Sequence, residues 1–148
     1  MVRGVSRACR VAVFAFEEKA RGDVLEALRA YFSGEGWAAE LSAFSEIESM
    51  VEAFHRRRFD MAFTVVNGMM AVEAARLLRQ EDAACPLFLI SGSGEYAMEG
   101  YRLHALDYLL QPVTPQRLGQ AVRRIGDTAL LPLTKGNKRE ANRQGGKP

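Results

Sequence analysis

Residues 95–118 read Glu95-Tyr-Ala-Met-Glu-Gly-Tyr-Arg-Leu-His-Ala-Leu-Asp-Tyr-Leu-Leu-Gln-Pro-Val-Thr-Pro-Gln-Arg-Leu118 and carry the signals of three consecutive elements. The apolar spacing predicts a helix from about Glu95 to Leu103 and a short strand from Asp107 to Leu110. Thr114 is a natural N-cap and Pro115 suits the first helical position, so a second helix is predicted to begin there. This part of the chain therefore alternates helix, strand and helix.

The sequence before this stretch shows the same alternation. Apolar runs of strand length alternate with helical patterns, and because these strands are apolar on both faces, they predict a parallel sheet covered on both sides. We predict a flavodoxin-like α/β fold of five strands and five helices, doubly wound in the order 2-1-3-4-5, with functional groups beyond the carboxyl ends of the strands. The four earlier strand-like runs are 11–16, 37–44, 60–66 and 86–90.

Several helix ends are predicted from local signals. Gly34 and Gly36 are expected to end the first helix, and Ser45-Glu-Ile-Glu48 forms a capping-box pattern that predicts a helix start at Ser45. The basic triplet 56–58 lies at the end of that helix, where the helix dipole favours cations. The last helix is expected to end near Gly126.

Length and composition indicate one globular domain. The chain has 148 residues, of which 48% are hydrophobic and 26% charged. Because no apolar run reaches the length of a membrane span, we expect no membrane association and a cytoplasmic protein. Cys9 and Cys85 precede the first and fourth strands, which the predicted order separates by about 10 Å, too far for a disulfide.

The formal net charge of +2 is unevenly distributed. Five basic side chains and one glutamate occupy residues 134–148, and Arg3, Arg7 and Arg10 lie near the other end, so the body of the chain is mildly acidic. An acidic body argues against electrostatic nucleic-acid binding by the domain itself.

The segment from Glu95 to Leu118 closely resembles the second half of the receiver domain of LytTR-type response regulators, which are two-component transcription regulators. Phe59-Asp60 before the third strand and Pro86 before the fourth are similar to the family at their own places. The resemblance covers about residues 9–127 and implies a CheY-like receiver domain.

The resemblance also implies a phosphorylation pocket whose chemistry this chain has lost. Ala15 and Phe16 stand where the family has its acidic metal-binding pair, Val65 where it has the phosphoacceptor aspartate, and Gln111 where it has a lysine. We therefore expect a degenerate receiver, not an enzyme, with no catalytic residue, no metal and no cofactor. A metal site formed instead by Glu17 and Glu18 is a weaker alternative, because no acceptor would lie beside it.

Two further residues match the family's switch, and a third position matches its cis proline. Ser91 corresponds to the hydroxyl that follows the phosphoryl group, and Tyr108 to the aromatic residue that changes rotamer with it. The alternative is that Ser91 only satisfies local backbone groups and Tyr108 only packs. Gln111-Pro112 matches a pair whose peptide bond is cis in the family, and we expect a cis bond before Pro112.

Regulation through protein contact is the function that these features favour. Receivers resembling this one dimerise through the fourth helix, fifth strand and fifth helix, and either a homodimer or another protein partner is expected there. The predicted contact residues on this face are Tyr96, Glu99, Arg102, Gln120, Arg123 and Arg124.

Both ends of the chain are expected to lie outside the receiver. Residues 1–8 form a basic extension, and residues 128–148 form a linker and a disordered basic tail, which could also be the truncated start of a LytTR DNA-binding domain. DNA binding is expected only through such an output domain. Two alternative functions remain, a small-ligand sensor on the flavodoxin-like fold and a weak nucleic-acid binder acting through the basic tail.

Overall fold

The computed structural model describes residues 8–127, in which five strands alternate with five helices as the sequence predicts. The extension before Ala8 and the tail 128–148 lie outside the described residues. In chain order the elements are β1 (Cys9–Phe14), α1 (Glu18–Glu35), β2 (Ala39–Phe44), α2 (Ile47–Arg56), β3 (Met61–Val65), α3 (Met69–Glu81), β4 (Leu87–Ser91), α4 (Ala97–Arg102), β5 (Asp107–Leu110) and α5 (Pro115–Val122), followed by a 3-10 turn (Ile125–Asp127).

The five strands form one parallel sheet in the order β2-β1-β3-β4-β5, which confirms the predicted topology. Val13 of β1 lies beside Phe63 of β3, and Phe63 lies beside Phe88 of β4, so β3 separates β1 from β4. Cys9 lies in β1 and Cys85 lies two residues before β4, and both are buried free thiols.

Helices cover both faces of the sheet and create two core layers. From Val11 to Ala15 the side chains point alternately to opposite faces. Val11, Val13 and Ala15 pack towards α1 and α5 in the first core layer, whereas Ala12 and Phe14 pack towards α2 and α3 in the second core layer. Every residue of β3 and β4 is buried. This two-sided burial explains why the central strands are apolar at nearly every position.

Of the two glycines predicted to end the first helix, only Gly36 does so. α1 passes through Gly34 and ends at Glu35, and Gly36 alone ends it with a left-handed φ of 73°. A glycine inside a helix costs about 1 kcal/mol, but burial of Tyr31 and Phe32 in the preceding turn holds the helix together.

The capping box predicted at Ser45 is wrong by one residue. Glu46 is the N-cap, with an extended backbone and no side-chain capping bond, and α2 begins at Ile47. Ile47 packs against the second core layer, so tertiary packing rather than the hydroxyl of Ser45 sets where this helix begins.

Two further helix boundaries differ from the predictions. α4 is only six residues long, Ala97–Arg102, and is preceded by Tyr96 as the N-cap, whose N–H donates to the Tyr108 hydroxyl. α5 ends at Val122 instead of near Gly126, and tighter bonds across three residues continue the chain into the 3-10 turn. No helix among residues 8–127 is long and apolar enough to cross a membrane.

Candidate functional site

The predicted pocket residues meet at the carboxyl edge of the sheet. Ala15 follows β1, Val65 ends β3, Ser91 ends β4 and Gln111 follows β5. Their separation in the sequence disappears because all four strands are parallel and end at the same edge, where the Gln111 N–H also donates to the Ser91 carbonyl at 2.7 Å. We call this region the crevice.

The β1 and β3 side of the crevice is apolar. Ala15 and Val65 are buried in the core layer formed with α1 and α5. Phe16 is 44% exposed and packs edge-to-face on Phe14 with ring centroids 5.0 Å apart. The positions that the resemblance assigns to carboxylates have therefore become part of the core and its rim.

A divalent cation does not fit this arrangement. Mg²⁺ requires oxygen ligands, usually carboxylates, and the side chains of Ala15, Phe16 and Val65 carry none. The Ala15 carbonyl oxygen instead accepts a hydrogen bond of 2.7 Å from the Arg21 guanidinium, a cation that would repel a metal ion. Within residues 8–127, no three His, Cys, Asp or Glu side chains are grouped to hold a metal.

The β4 and β5 side of the crevice holds a network of neutral polar groups. Asn67, two residues after Val65, accepts hydrogen bonds at its Oδ1 from the Ser91 hydroxyl at 2.9 Å and from the Gly92 N–H at 2.8 Å. Its Nδ2 donates to the Gln111 Oε1 at 2.9 Å. The Ser91 side chain is fully buried, and its hydroxyl is satisfied by Asn67.

Tyr108 connects the loop after β4 to the start of α4. Its hydroxyl donates to the Ser93 carbonyl at 2.7 Å and accepts from the Tyr96 N–H at 3.2 Å. The half-buried ring lies among residues of the second core layer. Tyr108 therefore packs against the core and also holds the backbone that begins α4.

The peptide bond between Gln111 and Pro112 is cis, as the Gln-Pro pair predicts. Gln111 lies immediately after β5, and its side chain reaches across the crevice to Asn67. The residue at the position of the family's lysine therefore makes a neutral contact with a neighbouring loop.

A small pocket of about 200 Å³ opens beside the crevice. Phe16, Ala20, Val65 and Ala71 provide apolar walls, while Glu17 and Asn67 lie at the pocket as polar groups. The loss of charged side chains thus leaves a partly apolar depression as well as an extended core.

The predicted contact residues lie on α4, on α5 and directly next to these two helices, and four of the six are exposed. Two pairs of charges are satisfied within the chain: Arg102 bonds to Glu99 at 3.0 Å, and Arg124 bonds to Asp107 at 3.2 Å. Tyr96 is half-buried against the core. The exposed members are Arg102, Gln120, Arg123 and Arg124.

Asp107 at the start of β5 fixes α5 to the sheet. Burial alone would raise the pKa of this carboxyl, but hydrogen bonds from the Arg117 side chain and the Tyr108 N–H, with the charges of Arg117 and Arg124, hold the pKa below its usual value. The Arg117 nitrogen lies 3.1 Å from the Asp107 Oδ2. Asp107 is therefore an ionised structural group.

Sequence reasoning missed Asn67 and Arg21 as parts of the site. Asn67 follows a buried strand in an Asn-Gly pair, which is typical of a turn, and nothing local shows where its side chain points. Arg21 lies on a helix with many exposed charges. The only available signal was the position of Asn67, two residues after Val65 at the carboxyl edge.

Comparisons with known proteins agree with this architecture. The chain is similar to CheY4 of Vibrio cholerae, with a TM-score of 0.66, 20% identity and coverage of 80% of this chain and 99% of that one. It is also similar to the receiver domain of AraT, a response regulator from Geobacillus stearothermophilus, with a TM-score of 0.64, 25% identity and coverage of 82% and 95%.

The relatives found by sequence similarity are also regulatory proteins. An uncharacterized response regulatory protein of Vibrio cholerae is 29% identical over 77 residues, which are 51% of this chain and 30% of the relative. The transcriptional regulatory protein LytR of Staphylococcus aureus is 24% identical over 95 residues, 63% of this chain and 39% of LytR. The chain thus matches well under half of each relative. No protein-family model matches it.

Fold and similarity together define the class. Residues 8–127 have the receiver (CheY-like) fold and are similar to receiver domains of response regulators. The similarity to LytR covers the 95 matched residues, which are 39% of that protein.

Proposed function

We propose that this receiver domain belongs to a regulator of the LytTR type and acts without phosphoryl transfer, as a non-enzymatic cytoplasmic module of transcription regulation. The observation that carries this proposal is the chemistry of the crevice. An aspartyl phosphate needs a nucleophilic carboxylate, a metal to neutralise the charge of the donor, and a cation for the phosphoryl oxygens. Val65 offers no nucleophile, and Gln111 offers no charge.

The contacts inside the crevice support the same conclusion. Ala15 and Val65 are buried in the core, and Arg21 uses the carbonyl of Ala15. The hydroxyl of Ser91 is already bonded to Asn67. A phosphoryl group would therefore have neither an acceptor nor unoccupied partners at this edge of the sheet.

Phosphorylation can be tested directly. The wild-type chain is incubated with acetyl phosphate and Mg²⁺ and its intact mass is measured; we expect no phosphoryl adduct. The matched control restores the family's charged residues through Ala15→Asp, Phe16→Asp, Val65→Asp and Gln111→Lys, and is expected to form the adduct. An adduct on any crevice residue of the wild type would contradict the proposal.

The α4-β5-α5 face is the proposed contact surface, either with a second copy or with another protein. Exposed apolar side chains on these elements support it: Met98 is 61% exposed, Tyr101 79% and Leu110 55%. Large exposed apolar side chains beside charges such as Arg123 suit a protein interface with a polar rim.

Sedimentation velocity at high micromolar concentration tests the homodimer. We expect the wild type to sediment as a dimer and Leu110→Lys as a monomer. Met70→Lys is the matched control, because Met70 is similarly exposed, at 65%, but lies on α3. A monomeric wild type would contradict the homodimer and leave a different protein as the proposed partner.

A small-molecule sensor is a second candidate, favoured by the pocket of about 200 Å³ beside Phe16 and Val65. Binding sites are commonly concave and mostly apolar with a few polar groups, and this pocket adds Glu17 and Asn67 to apolar walls. A thermal-shift screen against flavins and small metabolites tests it. The expected binder raises the melting temperature of the wild type but not of Ala71→Trp, which fills the pocket.

A further inference from the structure

Asn67 occupies the crevice with its own side chain. We propose that its carboxamide is an internal ligand. It fills the place that two converging donors at the end of β4 would offer to an anionic oxygen, and it thereby holds the loop after β4 in one arrangement. We call Asn67 and its three partners, Ser91, Gly92 and Gln111, the Asn67 latch.

One backbone group determines how the Asn67 side chain is oriented. The Gly92 N–H can only donate, so the Asn67 atom 2.8 Å away must be the carbonyl oxygen. The amide nitrogen then faces the Gln111 Oε1, and the Ser91 hydroxyl donates to the same Asn67 oxygen. All three contacts are satisfied by a single orientation of the carboxamide.

The place that this oxygen fills has the properties of an oxyanion site. Two donors, a side-chain hydroxyl of Ser91 and a backbone N–H of Gly92, converge on one point, and such convergent donors stabilise negatively charged oxygens. Asn67 supplies a neutral oxygen there. Because it is tethered to β3, it occupies the site without the entropy cost that a free ligand would pay.

The latch is connected to α4 through a short loop. Residues 92–96 lead from β4 to α4. Asn67 holds the beginning of this loop at Gly92, and the Tyr108 hydroxyl holds it at Ser93 and Tyr96. Both ends of the loop are thus anchored by uncharged groups of the chain itself.

This inference goes beyond the proposed function. It states what sets the arrangement of the β4–α4 loop, and the latch operates whether or not the α4-β5-α5 face binds a partner. If the face does bind one, the latch presents α4 in a constant position without an external input.

Backbone hydrogen exchange measured by NMR on the full chain tests the latch. In Asn67→Ala we expect the Gly92 and Tyr96 amides to exchange roughly tenfold faster, the effect of losing about one hydrogen bond from a local opening equilibrium. In Asn67→Asp we expect exchange at Gly92 within about threefold of the wild type, because a carboxylate oxygen still accepts from Ser91 and Gly92 while the Gln111 amide turns to donate.

Two controls separate the latch from general destabilisation. Met69→Ala changes an exposed neighbour on the same side of the crevice and is expected to leave both amides unchanged. The amide of Phe63 in the central strand reports global unfolding and must exchange at the same rate in every variant compared. If Asn67→Ala loses this global protection, Gln111→Ala, which removes one latch contact, takes its place with a smaller acceleration expected.

Two results would overturn the latch: unchanged Gly92 and Tyr96 exchange in Asn67→Ala, or acceleration in Asn67→Asp as large as in Asn67→Ala. These results concern the loop alone. The proposed function fails separately, through a phosphoryl adduct on the wild type, so failure of the latch and failure of the proposed function are distinguishable.

Discussion

At the edge where the strands begin, charged side chains are ion-paired or aimed at backbone carbonyls, whereas at the edge where the strands end the contacts around Asn67 are neutral. Asp107 at the first edge bonds Arg117 and Arg124, and the Asp60 carboxylate accepts from the Arg10 N–H at 2.8 Å. At the second edge, Asn67 and Gln111 bond through their amides.

Arg79 is the clearest example of a charge used for structure at the first edge. Its guanidinium donates to the carbonyls of Leu103 at 2.9 Å and Cys85 at 2.7 Å, and also to those of Asp82 and Ala83 at 3.1 Å. Burial lowers the pKa of Arg79, but guanidinium groups remain charged in proteins. One side chain thus ties the end of α3 to two loops.

The difference shows at which edge of the sheet charged side chains stabilise this domain. Several charged groups stabilise the edge far from the crevice, whereas the contacts around Asn67 at the crevice are uncharged and one charged group, Arg21, bonds to the Ala15 carbonyl there. Six variants at the two edges and at two backbone positions break or sharpen this contrast.

The largest effect is expected for Arg79→Met. Several loop carbonyls lose a charged donor at once, and each buried polar group left without a partner costs about 1–3 kcal/mol, so the free energy of unfolding should fall by about 3 kcal/mol in urea titrations. Arg76→Met is the matched control on the same helix. Arg76 pairs with Glu73 on the surface, where an ion pair contributes about 0.5 kcal/mol. Equal losses in both variants would contradict the assignment.

Asp107→Asn should lower the free energy of unfolding at pH 7 by about 1 kcal/mol, because it removes the charge that two arginines share. The pKa of Asp107 is lowered in the folded state, so its contribution is complete above the unfolded value of about 3.9 and is lost as the pH falls through the folded value.

The difference between wild type and Asp107→Asn should therefore shrink below about pH 4. Urea titrations at several pH values measure it, and Asp23→Asn, at an exposed pair with Lys19, is the control. A difference independent of pH would show that the charge of Asp107 contributes nothing to the variant's loss.

Thr64 and Ser91 test the neutral edge. The Thr64 hydroxyl is buried and has no hydrogen-bond partner within the described residues, so Thr64→Val should raise the free energy of unfolding by about 1 kcal/mol. Ser91→Ala removes a hydroxyl that bonds Asn67 and should lower it by a similar amount. Changes of the same sign would show that partnering does not govern these two sites.

The smallest effect is expected at two left-handed backbone positions. His104 has a φ of 58° and Gly36 a φ of 73°. His104→Gly should raise the free energy of unfolding by about 0.5 kcal/mol, because glycine adopts the left-handed backbone without strain. Gly36→Ala should lower the free energy of unfolding by about 1 kcal/mol. The added methyl at Gly36 meets nothing within 4 Å, so calorimetry would report the backbone cost alone.

Most of the architecture was predictable from the sequence, because strand and helix periods are local properties. Asp107–Leu110 has the predicted bounds, and the Thr114 hydroxyl accepts the Arg117 N–H at 3.1 Å as an N-cap. The start at Ser45 was wrong because packing of Ile47 against the core set the boundary, whereas Gly36, one of the two glycines predicted to end α1, does end it.

The crevice was predictable only in part. The resemblance pointed to Ser91, Tyr108 and Gln111, and parallel strand order explains why they meet. Their actual partners were not predictable, because the Asn67 side chain joins β3 to β4 and β5, which are distant in the sequence. Arg21 was missed for the same reason, since its contact depends on where α1 packs against the end of β1.

By itself, the sequence determined the alternation of strands and helices, the apolar character of the central strands, and the absence of carboxylates at Ala15, Phe16 and Val65, since each follows from residue type and local spacing. Tertiary structure alone decided that Asn67 fills the crevice and that Arg79 and Asp107 hold the opposite edge. Those contacts depend on distances between elements, which arise only when the sheet assembles and both of its faces are covered.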